Sequence, residues 1–218
     1  MNKYIDHTLL KPQSTQSEIE SLCKEAIEFS FKSVCINPTW VSYAASLLKD
    51  SEVLTCTVIG FPLGASSTAV KAFETAQAVK DGASEIDMVL NIGMLKSQKL
   101  DELESDVKAV VDSASGKTVK VILETCLLSA EEITAASKIC VKAGAHFVKT
   151  STGFSNSGAS QEAVELMVAA VDGKAEIKAS GGIRSLEDAK KYIALGATRL
   201  GTSSGKAIMQ GTTSSSAY

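Results

Sequence analysis

Eight short apolar segments recur along the 218-residue chain, and stretches with helical periodicity lie between them. They read "YID" (4–6), "SVCI" (33–36), "LTCTVI" (54–59), "EIDMVL" (85–90), "KVILE" (120–124), "HFVKT" (146–150), "EIKA" (175–178) and "TRLG" (198–201). Between the first two, Ile19, Leu22, Cys23, Ala26 and Ile27 share one helical face. Thr15 or Ser14 caps that helix. Ser129 with Glu132 predicts a capping box, and Ser185 with Asp188 repeats the format. Gly82, Gly144 and Gly196 stand where helices stop.

Alternation of this kind has few solutions. Parallel strands need crossover connections, and helices must cover the sheet they build. Eight units favour a closed (β/α)8 TIM barrel of the α/β class over an open doubly wound sheet. The first strand is the weakest, and losing it would leave the sheet incomplete or open. No shift in composition marks a linker. Residues 1–218 therefore read as one barrel domain with a polar, mobile tail at about 210–218.

The bulk properties exclude some partners. A net charge of -3 with dispersed basic residues argues against nucleic acid or an acidic membrane surface. No apolar stretch approaches transmembrane length, and "MNKYIDHTLLKP" lacks the core of a secretion signal. Cys23, Cys35, Cys56, Cys126 and Cys140 are odd in number and form no CxxC pair. They read as reduced thiols of a cytoplasmic protein.

Chemistry is visible where polar residues interrupt strands. Side chains alternate across a strand, so each barrel strand has a helix-facing set and a lumen-facing set. In "SEIDMVLN", Ile86, Met88 and Leu90 face the helices, and Asp87 faces the lumen with Val89. In "HFVKTS" Val148 faces out and Lys149 in; in "AEIKAS" Ile177 faces out and Lys178 in. All three polar residues lie toward the C-terminal ends of their strands, where barrel enzymes carry their chemistry. Each alone fits a salt bridge at a strand end. Together they fit catalysis. Two neighbouring ammonium groups disfavour each other's charge, and a neutral amine can attack a carbonyl carbon. A nearby carboxylate relays protons and keeps the other lysine charged.

Metal-dependent carbonyl chemistry fits poorly. There are two histidines: His146 begins its strand, at the far end from the site, and His7 has no partner at ligand spacing. Nucleotide loops of the GxxxxGK or GxGxxG type are absent. Instead "STGF" (151–154), "SGGIRS" (180–185) and "GTSSGKA" (201–207) follow the last three strands. Glycines let backbone amides converge on an anion, and Arg184 adds charge. Ser203 and Ser204 precede a short helix. In this architecture the loops after strands seven and eight commonly hold phosphate.

These motifs resemble the deoxyribose-phosphate aldolases, a family of Schiff-base aldolases. The resemblance runs from "YIDHTLLKP" through "SVCINPTWV", "VIGFPLGAS", "EIDMVLNIG" and "VKVILE" to "FVKTSTGF", "KASGGIR" and "RLGTSSG". It implies a (β/α)8 barrel without metal or cofactor. It also implies reversible cleavage of 2-deoxy-D-ribose 5-phosphate to acetaldehyde and D-glyceraldehyde 3-phosphate. By that resemblance Lys149 is the Schiff-base lysine, Lys178 the second lysine and Asp87 the proton donor and acceptor. Gly153, Gly181, Gly182, Arg184, Gly201, Ser203 and Ser204 surround the phosphate. Asp6 and Cys35 line the lumen near the substrate, and the terminal Tyr218 helps protonate the enamine carbon. Phe154 departs from members that carry a lysine there, which lowers the positive charge at the phosphate. The partners implied are a sugar phosphate and aldehydes, and a homodimer is the assembly to test. The rivals are another phosphate-binding barrel enzyme, such as a different aldolase or an isomerase, and a barrel that only binds a sugar phosphate and regulates a partner. The isomerase and the sensor need no imine.

Overall fold

The computed structural model describes residues 1–214. Eight strands close into a barrel in chain order, each parallel to its neighbours. They are β1 (Ile5–Leu9), β2 (Ser33–Ile36), β3 (Leu54–Ile59), β4 (Glu85–Val89), β5 (Thr118–Ile122), β6 (Phe147–Lys149), β7 (Glu176–Ser180) and β8 (Arg199–Thr202). The helices are α1 (Gln16–Glu28), α2 (Val41–Leu48), α3 (Thr68–Lys80), α4 (Ile92–Lys96), α5 (Leu100–Ser113), α6 (Ala130–Lys142), α7 (Gln161–Val171), α8 (Leu186–Ala194) and α9 (Gly205–Met209). The barrel expected from the alternation is the one observed.

The weakest expected strand is longer than its sequence suggests. β1 runs to Leu9 and pairs with both β2 and β8, which closes the ring. Other boundaries move by one or two residues: β5 begins at Thr118 and β7 reaches Ser180. The capping signals hold. Thr15–Glu18, Ser129–Glu132 and Ser185–Asp188 all form capping boxes, which supply partners for helix-start amides.

Outward strand residues such as Val34, Ile86, Met88, Val119, Val121, Val148 and Leu200 are buried in the layer between barrel and helices. The lumen is two-sided. On β2 and β3 it is apolar, with Cys35, Cys56 and Val58 packed beneath Leu10 and Phe61. On β1 and β4 to β8 it is ionic, as described below.

Helix α3 breaks the usual polarity. It buries Lys71 and Thr75 while Val70 and Phe73 stand 53% and 73% exposed. Lys71 is fully buried because its ammonium donates to Val89 O at 3.0 Å and pairs with Asp106 at 2.7 Å, which ties α3 to β4 and α5. Leu63, just before this helix, is 74% exposed. Among the described residues no helix is long and apolar enough to cross a membrane.

Candidate active site

The alternation of β6 and β7 puts Lys149 and Lys178 directly opposite each other in register. Both point into the lumen, and Asp87 reaches them from β4. Asp87 Oδ2 accepts from Lys149 Nζ at 2.8 Å and from Lys178 Nζ at 2.7 Å. One carboxylate oxygen thus bridges the two lysines, all three residues being 3% exposed or less. Asp6, on β1, takes a second bond from Lys178.

Three further lumen residues complete the network, and the sequence reading passed over them. Lys120 on β5 donates to Asp87 Oδ1 at 2.8 Å and pairs with Glu85 at 2.7 Å. Arg199 on β8 bonds Asp6 and Glu85, each at 2.8 Å. The signal that could have found them is the same alternation. Val119 and Val121 face the helices, so Lys120 must face in. Glu85 shares the parity of Asp87, and Arg199 that of Gly201.

Burial and neighbours set the charge states. Burial pushes the Asp87 carboxyl up, but Lys120, Lys149 and Lys178 together hold it well below the usual carboxylate range. Burial likewise disfavours charge on Lys178, yet Asp6 and Asp87 raise its pKa above that of an ordinary lysine. Lys120 is held charged in the same way, against burial, chiefly by Asp87. Asp6 stays ionised despite burial because Lys178, Lys120 and Arg199 surround it. Among the described lumen residues three carboxylates (Asp6, Glu85, Asp87) therefore face four basic groups (Lys120, Lys149, Lys178, Arg199). One proton fewer leaves the set neutral.

Cys35 and Cys56 are register partners on β2 and β3, and their sulfurs lie within 4.8 Å of an Asp87 oxygen. Cys56 donates to Asp87 Oδ1 at 3.2 Å, and burial raises its thiol pKa. The donor set has the spacing of a metal site, but three lysines already occupy the carboxylate. A cation would enter against their charge. The histidines have structural partners: His7 bonds Glu25 at 2.9 Å, and His146 Nδ1 accepts from Val119 N at 3.1 Å.

The residues expected around phosphate gather at the same end of the barrel. Gly153 follows β6, Gly181 and Gly182 follow β7, and Ser203 and Ser204 lead from β8 into α9. Arg184 is exposed; its backbone N–H donates to Asp188 at 3.0 Å, and its carbonyl accepts from Ser214 N at 3.1 Å. Gly201 sits lower, within β8, and a Cβ there would lie 2.9 Å from Ser180 Cβ and 3.1 Å from Lys178 Cε. Its missing side chain is the space that Lys178 occupies. Across the mouth, Phe61 after β3 meets Phe154 after β6 edge-on, with centroids 5.2 Å apart. Tyr218 lies outside the described residues.

A family model for DeoC/LacD family aldolases matches residues 1–211. The chain belongs to this aldolase family. Deoxyribose-phosphate aldolase 1 of Staphylococcus aureus is 58% identical to this DeoC/LacD aldolase over 216 residues, covering 99% of this chain and 98% of that protein. Among solved structures, the aldolase QR15 superposes with a TM-score of 0.92 at 44% identity, covering 96% of this chain and 94% of that one. The tetrameric deoxyribose phosphate aldolase of Aeropyrum pernix gives a TM-score of 0.89 at 32% identity, with 96% and 89% covered. The members of this family are aldolases, and an amine beside a proton relay is one arrangement that supports aldol chemistry.

Proposed function

We propose that this aldolase reversibly cleaves 2-deoxy-D-ribose 5-phosphate to acetaldehyde and D-glyceraldehyde 3-phosphate through an imine on Lys149. The observation that carries the proposal is the single Asp87 oxygen shared by Lys149 and Lys178. The amine of Lys149 adds to the aldehyde carbon of the open-chain sugar, and loss of water gives an iminium. With three carboxylates against four basic groups, the lumen is neutral when Lys149 is the free amine. The free amine is the form that attacks a carbonyl carbon. The iminium draws the C2–C3 bonding pair toward nitrogen as the C3 hydroxyl loses its proton, and D-glyceraldehyde 3-phosphate departs. Asp87 and Lys178, through water, carry that proton. The enamine left on Lys149 is protonated at carbon and hydrolysed to acetaldehyde.

Gly153, Gly181, Gly182, Arg184, Ser203 and Ser204 hold the phosphate in this scheme, and Asp6 and Cys35 line the lumen. Phe154 presents a ring to the mouth, so the phosphate relies on backbone amides and Arg184. No metal or other cofactor enters any step. The chain works as a single barrel domain in the cytoplasm, where its five free thiols are stable. Borohydride added with the sugar phosphate should reduce the imine and leave a mass increment on Lys149. An adduct on another residue, or none from an active enzyme, would refute the scheme.

The assembly we propose is a homodimer, seated on the apolar surface of Leu63, Val70 and Phe73. A helix that buries a lysine and exposes a phenylalanine has its apolar residues where a second copy can cover them. Phe73→Glu should shift the protein from dimer to monomer in sedimentation at micromolar concentration. A parent that sediments as a monomer, or a variant that stays dimeric, would count against that surface.

A further inference from the structure

Glu124 is a buried carboxylate at the barrel mouth that the catalytic scheme leaves unused. It follows β5, is 3% exposed, and has a left-handed backbone with φ +57° and ψ +60°. A side-chain-bearing residue adopts that conformation only where its surroundings impose it. Here the surroundings are the turn after β6. Glu124 accepts from Thr152 N at 3.2 Å, and its other oxygen takes the Thr152 hydroxyl proton. The Thr152 hydroxyl oxygen in turn accepts from Phe154 N at 3.0 Å. Backbone bonds hold the two segments together: Leu123 N donates to Lys149 O and Thr125 N to Thr150 O, each at 2.9 Å.

Among the described residues this chain of bonds leaves one donor of the turn without a partner. The amides on either side of Gly153 are occupied, whereas the Gly153 N–H has no partner among the described residues. Gly153 has φ +88°, which turns its peptide in a direction a bulkier residue resists. This amide lies four residues beyond Lys149.

We infer that Glu124 is a positioning residue for substrate phosphate: it occupies the Thr152 amide and hydroxyl so that, of the three amides of this turn, the Gly153 N–H is the one left for the anion, a role that rests on the phosphate site proposed above. The carboxylate acts through the turn and never touches the substrate. A negative charge beside an anion site would be counterproductive if exposed. Here both oxygens are committed to donors in the turn.

Two variants separate this role from a structural one. Glu124→Gly removes the carboxylate while keeping a residue that takes φ +57° without strain, so the fold survives. Glu124→Gln retains an acceptor for Thr152 N and offers a donor to its hydroxyl. Steady-state kinetics with 2-deoxyribose 5-phosphate and with unphosphorylated 2-deoxyribose give the readout. Glu124→Gly should lose kcat/KM on the phosphorylated sugar roughly tenfold more than on the free sugar, the scale of a lost bond to a charged group, and mostly through KM. Glu124→Gln should restore most of that difference. Equal losses on both sugars, no loss, or a Gln variant as poor as Gly would overturn the inference. Arg184→Ala run in parallel tells the two readings apart. If it discriminates between the sugars and Glu124→Gly does not, the Glu124 role falls and the phosphate site stands. If neither discriminates, both fall.

Discussion

Lys149→Leu should reduce cleavage of 2-deoxyribose 5-phosphate by roughly 10⁴-fold or more, the scale on which removing an essential nucleophile acts. The protein should nonetheless fold. Lys149 supplies one of three lysine contacts to Asp87, and Lys120 and Lys178 keep theirs at 2.8 and 2.7 Å. Leucine fills a similar volume without introducing a polar group that lacks a partner. The far-ultraviolet circular dichroism spectrum and a cooperative melt should therefore resemble those of the parent, while borohydride trapping disappears. A variant that retains a tenth of parental turnover would show that the covalent chemistry resides elsewhere.

Asp87→Asn should be damaging in two ways at once. Chemically, the bridge between the two lysines is lost and turnover should fall by at least about a thousandfold. Physically, Lys120, Lys149 and Lys178 lose the buried carboxylate they share. Removing one partner of a buried pair costs about 3–5 kcal/mol, which for a chain of this size is a melting-temperature drop of roughly 10 °C. The pH dependence has a definite sign. The folded Asp87 carboxyl titrates well below its ordinary value of 3.8, so the stability it supplies is fully present above that value. It fades only as pH falls through the folded pKa. Parent and variant should thus differ by a constant margin from about pH 5 upward and converge in strong acid. Equal melting temperatures at neutral pH would mean the lysines find other partners.

The sequence reveals this site unevenly, for a physical reason. Asp87, Lys149 and Lys178 stand out because each interrupts an apolar run near the end of its strand. Lys120 breaks an equally apolar run, yet in the sequence it stands at the start of its apolar segment, where a lysine looks like a solvated entry. Two more residues at the front of β5 put it at mid-strand, in register with Asp87. Arg199 and Glu85 open their strands and read as boundary charges for the same reason. Their meaning depends on closure of the ring, which brings β8 beside β1 and lets Arg199 reach Asp6, 193 residues away in the chain. Closure is a property of all eight strands and has no local signature. The turn held by Glu124 is hidden for another reason: a left-handed glutamate carries no sequence mark comparable to a glycine.

The missing side chain at Gly201 makes two positions behave as one. Any residue introduced there must displace Ser180 and also press on the Lys178 stem. Substitutions at 201 would therefore read out as defects of Lys178, even though residue 201 carries no functional group. For redesign of the barrel toward other aldehydes, 178 and 201 form a single unit of inheritance. Libraries that vary 201 alone would be spent on disabled enzymes, whereas the apolar wall of β2 and β3 stands apart from that constraint and is the side on which new shapes can be tried.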